Sequence, residues 1–205
     1  MSEKKLAKRI TLGSGKLYVK LYGGGAIPEH EEIETEENLL GLIKNGATLK
    51  YTPTFKVTHD DLRIINKKAL TNEEVILSSG IMTWYGDTLK RICTTAEVSE
   101  DNSKKTRTVK IGGTSRYKNE KYVIRFLHNS PEYGDIRITI VGSNEAGFEF
   151  SFNPENETVI NLEFRAEPHD GDGTLVIYEE KDEGIQPLAR ENTKGNTKKI
   201  EDKEE

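Results

Sequence analysis

The stretch TVINLEFRAE, residues 158–167, alternates apolar and polar side chains from one position to the next. Successive side chains of a β-strand point to opposite faces of the sheet. The pattern therefore predicts a strand with one buried face and one polar face. Its apolar positions are Ile160, Leu162, Phe164 and Ala166.

The same period of two recurs along the chain, and one stretch has the period of a helix instead. That stretch is GDTLKRICTTAEV, 86–98, with Asp87 or Thr88 as the expected N-cap and Cys93 on its buried face. Strands without a βαβ rhythm predict an all-β fold, a β-sandwich or partly open barrel with one flanking α-helix. Further strands are predicted at 16–22, 47–57, 73–84, 107–113, 121–129, 134–142, 147–152 and 174–180.

Two stretches fit no compact element. Residues 23–38, GGGAIPEHEEIETEEN, combine a glycine hinge with an acidic loop that is too long for an ordinary connection. Residues 52–72 are predicted to form a long hairpin that extends beyond the core. We expect an N-terminal arm at 1–12, a β-sandwich domain at 13–180, and a charged C-terminal extension at 181–205 that is disordered in isolation.

The composition argues against several classes of protein. Hydrophobic residues make up 34% of the chain and charged residues 32%, and the net charge is -5. A mildly acidic chain is not built to grip phosphate by bulk charge. The single cysteine, Cys93, cannot form a disulfide within the chain. We expect no signal peptide and no membrane span, because neither the N-terminus nor any other window has a long apolar run.

The sequence DGDG, residues 170–173, raises the question of a calcium site. Asp170 and Asp172 have the spacing with which a calcium loop can begin, but the distal glutamate of such a loop is replaced by apolar residues. Asp-Gly pairs also supply the positive φ of hairpin turns. We interpret DGDG as a hairpin turn, with the two aspartates as weak candidates for metal ligands.

No catalytic motif is present in the sequence. It has no GxGxxG, P-loop, HExxH or GxSxG pattern, and its four histidines share no ligand spacing. We therefore expect no enzymatic activity, no catalytic residue and no cofactor.

An ordered set of segments resembles the major tail proteins, or tail tube proteins, of phages and prophages of Gram-positive bacteria. The resemblance runs from about Leu12 to Glu180, and no single motif in it is a chemical signature. The segments are IETEENLLGLIKNGATLKYTPTF, SSGIMTWYGDTLKRICTTAEV, TVKIGG, YVIRFLHN and GDIRITIVGSNEAGFEFSF, followed by ETVINLEFRAEPHDGDGTLVIYEE.

The resemblance implies a structural virion protein. Its subunits would form hexameric rings whose sheets join into one continuous barrel, and the rings would stack into a hollow tube through which DNA passes without specific binding. It also implies as partners a tape measure protein, a tail terminator, tail tip or baseplate proteins and, where the tail has one, a sheath. The implied location is the virion tail, with assembly in the host cytoplasm and no membrane contact.

Under this interpretation the two irregular stretches reach the neighbouring ring. We expect charge pairs across the ring junction, and an acidic or neutral lumen that repels phosphate. The ring-stacking candidates are Glu31, Glu32, Glu34, Glu36 and Glu37 with Lys67 and Lys68, and the lumen-facing candidates are Asp135, Thr139, Glu163 and Glu167.

Two other functions stay open. A carbohydrate- or receptor-binding β-sandwich module would need a row of exposed aromatic side chains, to which Trp84 would belong. A tail terminator protein would form one closed ring and no tube.

Overall fold

A computed structural model describes residues 13–59, 61, 66–130 and 134–181. The arm predicted at 1–12 lies outside these described residues, and so does the extension predicted at 181–205 apart from its first residue. The described residues form ten strands and two short α-helices. The strands are β1 (Lys16–Leu21), β2 (Leu39–Gly41), β3 (Ile43–His59), β4 (Asn66–Ile81), β5 (Glu97–Asp101), β6 (Thr106–Lys110), β7 (Tyr122–Ser130), β8 (Gly134–Asn144), β9 (Ile160–Ala166) and β10 (Val176–Glu180), and the helices are α1 (His30–Ile33) and α2 (Gly86–Ile92).

Eight strands form one antiparallel sheet in the order β2-β1-β7-β8-β9-β4-β3, with β10 also paired to β8. The sheet is not closed into a barrel. It folds over at β8, so that β2-β1-β7-β8-β10 make one layer and β9-β4-β3 the other. The predicted all-β fold is confirmed, with an eight-stranded antiparallel sheet that stays open. The continuous barrel was predicted only for a ring of subunits and stays a prediction.

One apolar core lies between the two layers. The alternation that predicted it places Leu17 and Ile124 from the first layer against Leu77 and Phe164 from the second, all almost fully buried. Removing this apolar surface from water is the main stabilising contribution to the fold. The β9 residues named from the sequence, Ile160, Leu162, Phe164 and Ala166, are all buried in this core.

The loop that contains DGDG does not close a hairpin, so that prediction was wrong. β9 pairs with residues 142–144 of β8, and β10 pairs with residues 136–140 on the same side of the same strand. Both strands are antiparallel to β8, so they run in one direction and do not pair with each other. The loop therefore connects β9 to β10, and the two strands follow one another along the same side of β8.

The long hairpin predicted around residues 52–72 is confirmed. β3 and β4 stay paired from Ile43↔Ile81 to His59↔Asn66, whereas β9 covers β4 only from Ile76 to Ile81. Residues 54–59 and 66–72, called the hairpin arm below, therefore project beyond the two layers.

The helix is confirmed with different ends. α2 covers Gly86–Ile92, its N-cap is Tyr85, and Cys93 is the C-cap residue with partial exposure rather than a core residue. Residues 97–101, expected near the end of this helix, pair with β6 instead. The predicted strand at 147–152 does not form, and its aromatic rings pack on one another outside the sheet.

Candidate assembly surfaces

Residues 26–38, called the strap below, cover the outer face of the first layer. α1 places Ile33 fully buried against Tyr18, Val123 and Val141. The residues before the strap are Gly23, Gly24 and Gly25, and a Cβ on any of them would meet no neighbour. The acidic loop expected from the sequence is thus packed against its own chain along most of its length.

A cluster of charged side chains fastens the strap to the sheet. The Glu34 carboxylate accepts two hydrogen bonds from Arg137 of β8, at 2.7 and 3.1 Å, and one from Arg125 of β7 at 3.3 Å. Arg125 is 2% exposed and also donates to His30 Nδ1 at 2.7 Å and to Thr139 at 2.9 Å. A buried guanidinium requires such partners, because an unpaired charge in the interior is costly.

The electrostatics of this cluster favour the ionised carboxylate. Burial raises the pKa of Glu34, but the hydrogen bonds and charges of Arg137 and Arg125 outweigh burial and hold that pKa below its usual value. The hydrogen bond from Arg137 to Glu34 likewise raises the pKa of Arg137. The ion pairs therefore persist at neutral pH. The sequence did not reveal this cluster, although Arg125 among apolar neighbours in β7 was a visible signal.

The ring-stacking candidates lie on two separate surfaces. Glu34 is held within its own chain, and Glu32 pairs with Lys20 of β1 at 3.1 Å. Within the described ranges no ion pair joins the strap to Lys67 or Lys68. The remaining candidates are exposed: Glu31, Glu36 and Glu37 on the strap, and Lys67 and Lys68 on the hairpin arm.

The hairpin arm has one apolar face. β3 is paired at every residue from Ala47 to His59, and the register shift at Thr54/Phe55 skips a residue of β4, not of β3. The face that reaches the core at Leu49 therefore continues outward through Tyr51, Phe55 and Val57. Leu70 of β4 pairs with Phe55 on the same face, and all four outer side chains are about half exposed. The Lys68 ammonium lies 3.9 Å from the centre of the Phe55 ring. This stripe of apolar side chains projects from the domain with a basic edge.

A second exposed apolar surface lies where β3 begins. Residues 145–159, called the aromatic segment below, stack Phe152 on Phe150 with ring centroids 6.0 Å apart, and Phe150 contacts Trp84 at 5.5 Å. Phe152 is 80% exposed, and Tyr85, which follows Trp84, and Leu42, which precedes β3, are also more than half exposed. The sequence pattern at 147–152 indicated a strand and missed this surface.

The four lumen-facing candidates do not share one surface. Asp135 and Thr139 lie on the strap side of β8, whereas Glu163 lies on the outer face of β9 in the other layer. Thr139 is fully buried and accepts a hydrogen bond from Arg125, so the prediction that it faces a lumen was wrong. Glu167 follows β9 and pairs with Lys121. Alternation identified positions that face away from the core, but a sandwich has two such faces.

The aspartates of DGDG have different roles. The Asp170 carboxylate accepts backbone hydrogen bonds from Asp172 at 3.1 Å and from Thr174 at 2.8 Å, while Gly173 adopts a φ of 79°. These contacts build an Asx-type turn. In the described part of the chain no three His, Cys, Asp or Glu side chains are grouped so that they could hold a metal ion.

None of the helices in the described ranges has the length and apolar character needed to cross a bilayer. No family model and no curated protein matches the sequence. Among solved structures, the chain is similar to one from the "Virion of native gene transfer agent (GTA) particle", with 8% identity and a TM-score of 0.35 over 80% of this chain and 95% of that one. A likeness of that size defines neither a shared fold nor a shared function.

Proposed function

We propose that the protein is a self-assembling structural subunit of a phage-type tail tube. Subunits would form hexameric rings with a continuous barrel, and stacked rings would form the hollow path for DNA. The observation that carries this proposal is the hairpin arm, whose apolar face continues the core outward and leaves Phe55, Val57 and Leu70 about half exposed. Such a face favours a contact with another chain.

The open sheet supports the ring. β3 is an edge strand of the second layer, and it stays unpaired along its other side within the part of the chain that the structure describes. Exposed edge strands pair readily with other chains, and closing a ring removes them. β2 and β10 are the edges of the first layer and would be the complementary ones.

The other elements of the proposal follow from the resemblance of the sequence. The role needs no catalysis, cofactor or metal. The subunit would work with a tape measure protein, a tail terminator and a tail tip or baseplate, and it would be located in the virion after assembly in the host cytoplasm. A carbohydrate-binding role is less well supported, because the aromatic rings at Trp84, Phe150 and Phe152 stack on one another and only the outermost offers its face.

Negative-stain electron microscopy of the concentrated full-length protein tests the proposal. We expect stacked rings or tubes with a central hole. A protein that forms only closed single rings would identify a terminator-like role, and one that stays monomeric with tail tip components present would overturn the proposal.

A variant pair tests whether the hairpin arm is responsible. Phe55→Ser with Val57→Ser removes the apolar face and is expected to abolish tubes. The matched control, Thr54→Ala with Thr58→Ala, changes the opposite face of the same strand and should assemble normally. Thermal unfolding of both variants should resemble that of the wild type, because all four side chains are exposed.

A further inference from the structure

The two exposed apolar surfaces lie at opposite ends of one strand. The aromatic segment adjoins the start of β3, where Glu157 pairs with Lys44 and Val159 contacts Gly80. The hairpin arm is the other end of the same strand. β3 has 17 residues, and at a rise of about 3.3 Å per residue the two ends are roughly 50 Å apart. A single chain cannot bring these surfaces together.

Their charges are complementary. The two strands of the hairpin arm carry Lys56, Lys67 and Lys68 and no acidic side chain, and Asp61 in the turn beyond them is the one acidic residue described at the tip. The aromatic segment carries four glutamates and no basic side chain. Two of the four, Glu145 and Glu157, are paired with Arg165 and Lys44.

The other two glutamates, Glu149 and Glu155, have no ion-pair partner among the described residues, and both are exposed. Lys56 and Lys67 are exposed and likewise lack an ion-pair partner there. Exposed apolar surfaces, each bordered by unpaired charges of opposite sign, have the character of two halves of one interface.

We propose that the hairpin arm of one subunit docks on the aromatic segment of a second copy of this chain. This inference rests on the proposed self-assembly and names the surface that receives the arm. Phe55, Val57 and Leu70 contact Phe152 and its neighbours, while the lysines of the arm face Glu149 and Glu155. Because the two surfaces are different, the contact is heterologous, and each added subunit presents one free arm or one free aromatic segment to the next.

The strap is a poorer receiver for the arm. Its isoleucines, Ile27 and Ile33, pack inward against the sheet, so it offers no apolar surface to Phe55. Two of its glutamates are already paired within the chain. The charge match that the sequence predicted for Lys67 and Lys68 is thus supplied better by Glu149 and Glu155.

Two blocked full-length variants test the contact. The first, Lys67→Glu with Lys68→Glu, has a damaged arm and an intact aromatic segment. The second, Phe152→Ser with Glu149→Lys and Glu155→Lys, has an intact arm and a damaged aromatic segment. All five positions are exposed, so both variants should keep the wild-type unfolding temperature. The control, Glu36→Lys with Glu37→Lys, changes two exposed charges on the strap.

We expect each blocked variant to fail to stack alone, and the control to stack like the wild type. An equal mixture should sediment as a complex with twice the mass of either variant, and no larger complex should form. Each pair of variants keeps only one intact arm and one intact aromatic segment, and these bind each other. Two variants that stay separate in the mixture would overturn the inference, as would tubes formed by the second variant alone. Whether the wild type forms tubes tests the proposed function by itself. A failure of the proposed function is therefore distinguishable from a failure of this contact.

Discussion

Glu34 in the strap binds Arg137 in β8 through both carboxylate oxygens, at 2.7 and 3.1 Å. A bidentate ion pair fixes the relative orientation of the two side chains as well as the distance between them. Because this pair and Ile33 both hold the strap, the acidic loop is part of the folded domain. A partner that docked on this face would therefore meet the outer, exposed side of the strap.

Glu34→Gln should destabilise the protein by about 2 kcal/mol at neutral pH, because it leaves two partly buried guanidinium groups without their counter-charge. The folded-state pKa of Glu34 lies below its ordinary value of 4.5. The stabilisation is therefore fully present above that pH and is lost as the pH falls through the folded pKa.

Urea unfolding at a series of pH values measures this effect. The difference between the wild type and Glu34→Gln should be constant near neutrality and shrink in acid. The exposed Glu31→Gln is the matched control and should change stability little at any pH. A difference that stays constant into acid would show that the ion pair is not its source.

Ile33→Ala should release the strap. The side chain is fully buried, and its truncation is expected to cost about 2–4 kcal/mol. Since the rest of the core is untouched, the loss should appear first as local opening. Hydrogen exchange should accelerate in residues 26–38 more than in β7. Equal acceleration everywhere would indicate that the strap unfolds only with the whole domain.

Gly142→Ala should weaken the join between the two layers. A Cβ at this position would overlap the carbonyl oxygen of Arg165, where β8 pairs with β9. Relieving that overlap requires backbone movement, and we expect a destabilisation of about 1–3 kcal/mol. Thermal unfolding measures it. Gly23→Ala is the control for loss of a glycine, because a Cβ at Gly23 would meet no neighbour and its backbone is outside the left-handed region.

Asp170→Ala should destabilise the loop between β9 and β10, because two backbone amides lose their acceptor. Asp172→Ala should destabilise it less, because no hydrogen bond to the Asp172 carboxylate is found among the described residues. Millimolar calcium should leave the unfolding temperature of the wild type unchanged. A calcium-dependent rise that Asp170→Ala abolishes would favour the metal-binding interpretation over the turn.

Local pattern was sufficient for much of the fold. The alternation in β9 correctly assigned Ile160, Leu162, Phe164 and Ala166 to the core. The sequence also correctly predicted a long hairpin around residues 52–72 that extends beyond the domain. These features depend on the direction of successive side chains along one strand, which the residue types alone encode.

Pairing partners and outer faces depended on the whole chain. Alternation shows that Thr139 and Glu163 both point away from the core, but only the folding of the sheet at β8 places them on opposite sides and buries Thr139 under the strap. The same folding makes β10 continue the path of β9, where DGDG had indicated a hairpin.

The sequence by itself determined which strand residues face the core, because placing side chains on one face needs only a period of two. Only the tertiary structure decided which charges meet. Glu34, Arg125 and Arg137 are far apart along the chain and contact one another through loop closure over the sheet. Phe152 and Phe55 are separated by the length of β3, so any contact between them requires a second chain.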